Sequence, residues 1–139
     1  MKSPTVVIVE DEFLVALQIE DILLDQGCSV IATVPDLAAA DRVTQPADVA
    51  LVDLNLRDGP TGAEIAKRLS DRFGTRIIYV TANAAQIGSP VETAVGVVNK
   101  PFSKETIEAA VAFALDDTKM TARPCDLHDV PALSLKQVA

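Results

Sequence analysis

Asp53 closes a run of four apolar residues, Val49-Ala50-Leu51-Val52, and leads into Asn55, Arg57, Asp58, Gly59 and Pro60, a loop composition. A short apolar run with β-branched members suits a strand buried on both faces of a parallel sheet. A carboxylate at the carboxyl end of such a strand lies where open α/β sheets gather their ligands. There it serves as nucleophile, metal ligand or both; an aspartate at that place also serves merely to start a turn. Three other strand-like runs end on polar chemistry: one on Glu10 and Asp11, one on Thr81, one on Lys100. If these strands are parallel, all five side chains meet at one edge. Three carboxylates sharing a crevice repel one another unless a cation joins them, and an all-oxygen set favours a hard octahedral ion, Mg²⁺ above all. Lys100 adds a compact positive charge. Such a site could neutralise an incoming phosphoryl group while Asp53 attacks it and Thr81 donates to a phosphoryl oxygen. Each residue alone has a plainer reading: Glu10 or Asp11 as an acid at a helix N-terminus, Lys100 as an exposed strand-end charge, Thr81 as a β-former. Those readings leave unexplained why all of them fall at strand ends.

The elements that must position these groups alternate regularly. Strands are predicted at Thr5 to Val9, Ser29 to Thr33, Val49 to Val52, Arg76 to Thr81 and Ala94 to Asn99. Between them the period becomes helical: from Glu12 to Gln26 with Gly27 as the stop, from an Asp36 cap to about Val43, from a Thr61 cap to about Phe73, and from a Ser103 cap to about Asp116. Residues 82 to 93, interrupted by Gly88, Ser89 and Pro90, leave room for one short helix at most. Strand-helix alternation with short linkers allows only right-handed parallel crossovers, so the expected fold is a doubly wound five-stranded α/β sheet. The first helix carries two apolar stripes: Val15, Ile19, Ile22 and Leu23 for the core, and Phe13, Leu17 and Leu24 with Leu14 beside them on the side that should be polar.

The 139 residues are enough for one domain with a real core, built of Val, Ile, Leu and Ala because aromatics make up only 4% and Trp is absent. A formal charge of −8 without any Lys/Arg cluster argues against nucleic-acid binding. Cys28 and Cys125 fit no metal-ligand spacing and are expected to be free. No signal-peptide pattern opens the chain and no segment approaches the ~20 apolar residues of a membrane span, so a soluble, cytoplasmic protein is expected. After Asp117 the pattern lapses. Residues 117–139, with Pro124, Pro131, Leu127, Val130, Leu133, Leu135 and Val138, read as a C-terminal extension beyond a domain of residues 1–116.

Val9-Glu10-Asp11-Glu12, Leu51-Val52-Asp53-Leu54-Asn55, Val80-Thr81-Ala82 and Asn99-Lys100-Pro101-Phe102, in this order and at about these intervals, resemble the receiver domain of two-component response regulators, over roughly residues 5 to 116. Each motif is weak alone; four in sequence on five alternating units are specific. The resemblance implies a flavodoxin-like sheet of order 2-1-3-4-5 and a stand-alone, single-domain regulator. Asp53 would accept a phosphoryl group from a sensor histidine kinase or histidine phosphotransfer protein. Mg²⁺ would be held by Asp11, Asp53 and the backbone carbonyl of Asn55, with Glu10 assisting through water. Thr81 would swing toward the phosphoryl group and Lys100 would pair with it, and Lys100-Pro101 is a candidate cis peptide. Such a protein is no enzyme beyond its own phosphoryl transfer and autodephosphorylation.

The chain departs from the family pattern in places. Arg57 stands where receivers commonly carry Pro, Gly62 comes one residue late after Asp58-Gly59-Pro60, and Thr81 to Lys100 is about three residues short. Val97 replaces the Tyr or Phe usual three positions before the lysine, so signalling is expected to run through rearrangement of residues 82 to 93. Nothing after Asp117 is long enough for an output domain, which leaves protein-protein contact as the output. Phe13, Leu14, Leu17 and Leu24 offer a docking surface for a kinase bundle or phosphotransfer domain; folding of the tail's leucines onto that stripe and a homodimer face compete with it. Ala109, Ala112 and Phe113 make a dimer through the last helix or the tail a further expectation. Three other classes compete: a receiver-like scaffold working without phosphorylation; a haloacid-dehalogenase-type phosphohydrolase, which needs an acid where Asn55 stands; and a dinucleotide-binding domain, whose glycine fingerprint is missing after the first strand.

Overall fold

The structure, a computed structural model, describes residues 3–118 and 122–130. Five strands, β1 (Thr5–Val9), β2 (Ser29–Val34), β3 (Val49–Val52), β4 (Arg76–Thr81) and β5 (Ala94–Asn99), form one sheet in the order β2-β1-β3-β4-β5. Every neighbouring pair is parallel. Alternate side chains divide the core in two, as the period of a strand requires. Val6, Ile8, Val49, Leu51, Ile78, Val80 and Val98 pack against α1 (Phe13–Asp25) and α4 (Lys104–Leu115). Val7, Val9, Ala50, Val52, Ile77, Tyr79 and Val97 pack against α2 (Leu37–Asp41) and α3 (Gly62–Phe73). This is the doubly wound architecture expected from the alternation of periods.

Local chemistry sets most helix ends. Asp36 and Ser103 accept from the N–H groups of Ala39 (2.8 Å) and Thr106 (3.1 Å), closing the starts of α2 and α4. Gly74 ends α3 in the left-handed conformation. Thr61 differs from the expectation of a side-chain cap. Its backbone is already helical and its hydroxyl donates to Asp58 at 2.5 Å, while the Gly62 N–H is taken by the carbonyl of Leu54. The inserted Asp58-Gly59-Pro60 explains this: Leu56 and Gly59 exchange both backbone hydrogen bonds in a tight turn, and Thr61 braces it. In α1 the fully buried set is Ala16, Ile19, Ile22 and Leu23, with Val15 only half-buried at the margin of the core. Between β4 and β5 the chain makes one 3-10 turn, Ala84–Ile87, anchored by the buried Ile87.

Beyond α4, residues 122–130 lie on the outer edge of β5. His128 and Val97 exchange both backbone hydrogen bonds at 2.8 Å, and Leu127 is buried in the core layer of α1 and α4. The described part of the tail thus leaves the second stripe of α1 uncovered. Leu133, Leu135 and Val138 lie outside the described residues.

Candidate functional site

The strand ends bring the expected side chains together. Glu10 follows β1, and its N–H extends the pairing with β2 by donating to Val34 (3.0 Å); Asp53 follows β3 and donates in the same way to Val9 (2.9 Å). Both carboxylates are therefore carried by sheet hydrogen bonds rather than by loops, and both are buried. Lys100, one residue past β5, reaches across the sheet edge. Its Nζ donates to Glu10 Oε1 at 2.8 Å and to Asp53 Oδ2 at 3.0 Å. The remaining oxygens are used as well: Glu10 Oε2 accepts from the Glu12 N–H (3.1 Å) and Asp53 Oδ1 from the Asn55 N–H (3.3 Å). The Lys100-Pro101 peptide is cis.

The electrostatics show a site with more negative charge than it can hold alone. Carboxylate oxygens of Glu10, Asp11 and Asp53 all lie within 4.8 Å of one another. Three carboxylates against one ammonium leave two negative charges, and a divalent ion on hard oxygen donors balances them. The residues present therefore fit Mg²⁺. Burial pushes the Glu10 carboxyl above its usual range, and the Asp53 charge adds to this, against the opposing pull of Lys100 and the Glu12 N–H. Burial alone would lower the Lys100 ammonium, but its bonds to Glu10 and Asp53 together outweigh that and hold it above the ordinary lysine value.

Thr81 is fully buried at the end of β4 and accepts from the Asn83 N–H (3.1 Å), while the Lys100 N–H donates to the Thr81 carbonyl (2.9 Å). Through this backbone bond Thr81 is tied directly to Lys100, the cation of the acidic group. Asn55 is exposed, and its side-chain amide crosses to Gln86 Oε1 (2.8 Å), tying the loop after Asp53 to the turn after Thr81. Of the apolar stripe, Phe13 and Leu14 are 74% and 77% exposed, and Leu17 and Leu24 are exposed too. Phe13 and Leu14 stand within a turn of Asp11, and Leu17 lies one turn beyond Phe13. Leu24 lies about 16 Å further along the helix axis from Phe13. A cleft of about 430 Å³ beside Lys100 is walled by Val15 and Gln18 of α1 and by Pro101 and Phe102.

Other residues support the site without a motif of their own. Gly62 abuts the strand end so closely that a Cβ there would lie 2.0 Å from the Asp53 carbonyl oxygen. Only glycine lets α3 start against β3 at this distance. Arg57 donates twice to Asp36 Oδ2 (2.9 and 2.6 Å), and Asp58 accepts from the Leu37 N–H (3.1 Å). These bonds fasten the inserted loop to the start of α2. A glycine beside an acidic strand end signals the first feature; the second depends on a pairing across 21 residues that no local pattern reveals.

Comparison with known proteins agrees with this geometry. The family model described as response regulator receiver domain matches residues 6–112. Phyllosphere-induced regulator PhyR of Methylorubrum extorquens is 27% identical over 115 residues, covering 79% of this chain and 43% of that protein. The chain thus spans less than half the length of this curated relative. The solution structure of the receiver domain of PhyR from Erythrobacter litoralis is 28% identical, with a TM-score of 0.75, over 83% of this chain and 92% of that one. A CheY-like receiver domain from Methylobacillus flagellatus, 21% identical with a TM-score of 0.68 over 81% of this chain and 99% of the other, shares the fold. With its five-stranded sheet, its acidic strand ends and its matched length taken together, the chain belongs to the response regulator receiver domain family.

Proposed function

We propose that Asp53 is a reversible phosphoryl acceptor and that this receiver works as a response regulator whose output is protein-protein contact. The observation that carries this reading is the bond from Lys100 Nζ to Asp53 Oδ2, inside a group of three carboxylates. A half-buried lysine that already neutralises the nucleophile's surroundings can follow the charge onto a phosphoryl oxygen as the acyl phosphate forms. In the proposed step one Asp53 carboxylate oxygen attacks phosphorus in line. The bond from phosphorus to the donor's imidazole nitrogen breaks, and the imidazole leaves with that electron pair. Glu10, Asp11, Asp53 and the backbone carbonyl of Asn55 would hold Mg²⁺, which supplies charge neutralisation at the equatorial oxygens when bound. Lys100 shifts from its paired carboxylates to the phosphoryl group, and Thr81 moves out of its buried position to donate a hydrogen bond from its hydroxyl.

The donor in this reading is a histidine kinase or phosphotransfer protein, acting in the cytoplasm and docking over Phe13, Leu14 and Leu17 so that its histidine enters the cleft beside Lys100. No helix among the described residues is long and apolar enough to cross a membrane. The chain's own chemistry is confined to accepting and hydrolysing this phosphoryl group. The deciding experiment incubates the protein with acetyl phosphate and Mg²⁺ and weighs it intact. One added phosphoryl group on wild type and none on Asp53→Asn is expected; an unmodified wild type would leave a scaffold that binds without phosphorylation.

A further inference from the structure

The sheet ends on one side at β2, whose outer edge has no partner strand among the described residues. Edge strands are commonly blunted by charges, proline or a bulge, because their unpaired N–H and C=O groups accept any extended chain. Ser29-Val30-Ile31-Ala32-Thr33-Val34 has neither charge nor proline. It has a bulge, but this bulge exposes apolar surface. The register passes from Val6 opposite Val30 to Val7 opposite Ala32, so Ile31 is the extra residue. Successive side chains of a strand normally face opposite layers. Here Ile31 and Ala32 both pack against the layer of α2 and α3, while Val30 packs on the other. The helix that should cover them, α2, has only five residues, and both stay half-buried. Beside them lies an open groove of about 370 Å³, lined also by Ala39, Val43 and the exposed Arg42.

Arg42 is the second observation. Among the described residues it is the one cation whose side chain makes neither a hydrogen bond nor an ion pair; every other lysine and arginine there is bonded to a carboxylate or a carbonyl. The neighbouring acids are already taken, Asp41 by Arg68 and Asp36 by Arg57. On a chain of formal charge −8, an exposed guanidinium without a partner draws acids to one place on a surface that otherwise repels them.

We propose that the outer edge of β2, with the groove beside Ile31 and Ala32, is a docking site for an extended acidic segment of a partner protein, added to the sheet as a further strand. Backbone hydrogen bonds along the β2 edge hold the segment, an apolar side chain enters the groove over Ile31 and Ala32, and a carboxylate pairs with Arg42. A second copy of this chain fits less well: β2 brings no acid to meet Arg42, and two chains of charge −8 repel each other. The site lies at the opposite edge of the sheet from β5 and needs no phosphoryl group on Asp53.

The test is an NMR titration of the full, isotope-labelled chain with a capped heptapeptide of alternating threonine and valine whose central residue is glutamate. Amide resonances of residues 29–34 should shift, and this peptide should bind about fivefold more tightly than its lysine counterpart. Arg42→Gln should abolish that preference and Arg42→Glu should reverse it. Methylating alternate backbone nitrogens of the peptide, in either phase, should weaken binding in the phase that faces β2, because strand addition needs those N–H groups. Amides of β2 that stay unshifted at millimolar peptide would overturn the docking site. Equal affinity of wild type for the two peptides would overturn the acidic partner, and full binding by both methylated forms would overturn strand addition. Shifts at residues 29–34 that grow with protein concentration alone would give the edge to a second copy and overturn the proposed occupant.

Discussion

Lys100 is the residue on which the site's stability turns. Its ammonium is the cation between two buried carboxylates, and removing one member of a buried ionic group costs about 3–5 kcal/mol because the partners stay behind unpaired. Lys100→Met should therefore lower the unfolding free energy by an amount in that range, measured by urea denaturation in the absence of divalent ions. Mg²⁺ should recover more stability in the variant than in wild type, since it then supplies the only positive charge near Glu10 and Asp53. Equal stabilisation of both proteins by Mg²⁺ would mean that the ion does not share these carboxylates. Glu10 is raised chiefly by its burial, which the bond from Lys100 and the Glu12 N–H only partly offset, so the lysine matters to this carboxylate above all. Asp53, Glu10, Thr81 and Lys100 are legible in the sequence because chemistry at strand ends is local and follows from the parallel fold. The full burial of Thr81 is not, because it depends on how β4 is flanked by β3 and β5.

Among the elements, α1 shows an apolar surface where an amphipathic helix should be polar. If Phe13 and Leu17 seat the phosphodonor, Phe13→Ser with Leu17→Ser should slow phosphoryl transfer from a phosphorylated histidine protein by about tenfold or more, in line with the loss of central apolar anchors. Transfer from acetyl phosphate, which needs no docking, should be unchanged; an equal loss with both donors would place the effect at the site instead. The inserted loop between β3 and α3 carries a second consequence. The Ala39 N–H and then the Arg57 guanidinium hold the Asp36 carboxyl below its usual range. A depressed carboxylate contributes stability above pH 3.8, its ordinary value, and loses it as pH falls through the folded value. Asp36→Asn keeps the cap acceptor but removes the charge, so its stability should lie below wild type at neutral pH and converge with it below pH 3.8. A constant difference down to about pH 2.5 would mean that the carboxylate charge contributes through neither the Ala39 N–H nor Arg57. The cap at Asp36 is legible from the residue type and position. The Asp36–Arg57 tie is not, since the spacing of β2 and the inserted loop is fixed only by the sheet.

On the scale of the whole molecule, strand-helix periodicity and the four motifs are enough for the sheet order and the active edge. What escapes them lies on the flanks of β5: the segment after Asp117 offers no period, yet Leu127 and His128 complete that edge through long-range backbone pairing. Val97 meets that segment through its backbone, exchanging both hydrogen bonds with His128. The order of stability should follow this layout. Amides of β1, β3 and β4 lie in the middle of the sheet and should exchange only through global unfolding. Residues 82 to 93 hold a single 3-10 turn, one buried anchor at Ile87 and the exposed Asn55–Gln86 bond, so they should open most readily of the segments that touch the site. In the proposed reading a phosphoryl mimic would engage Asn55 from one side and Thr81 from the other, and both are bonded to this stretch, Thr81 through the Asn83 N–H. Exchange measured across residues 82 to 93 should therefore change on binding beryllofluoride and Mg²⁺ while β1 and β3 keep their protection. Unchanged protection in that stretch would remove it from the signalling path.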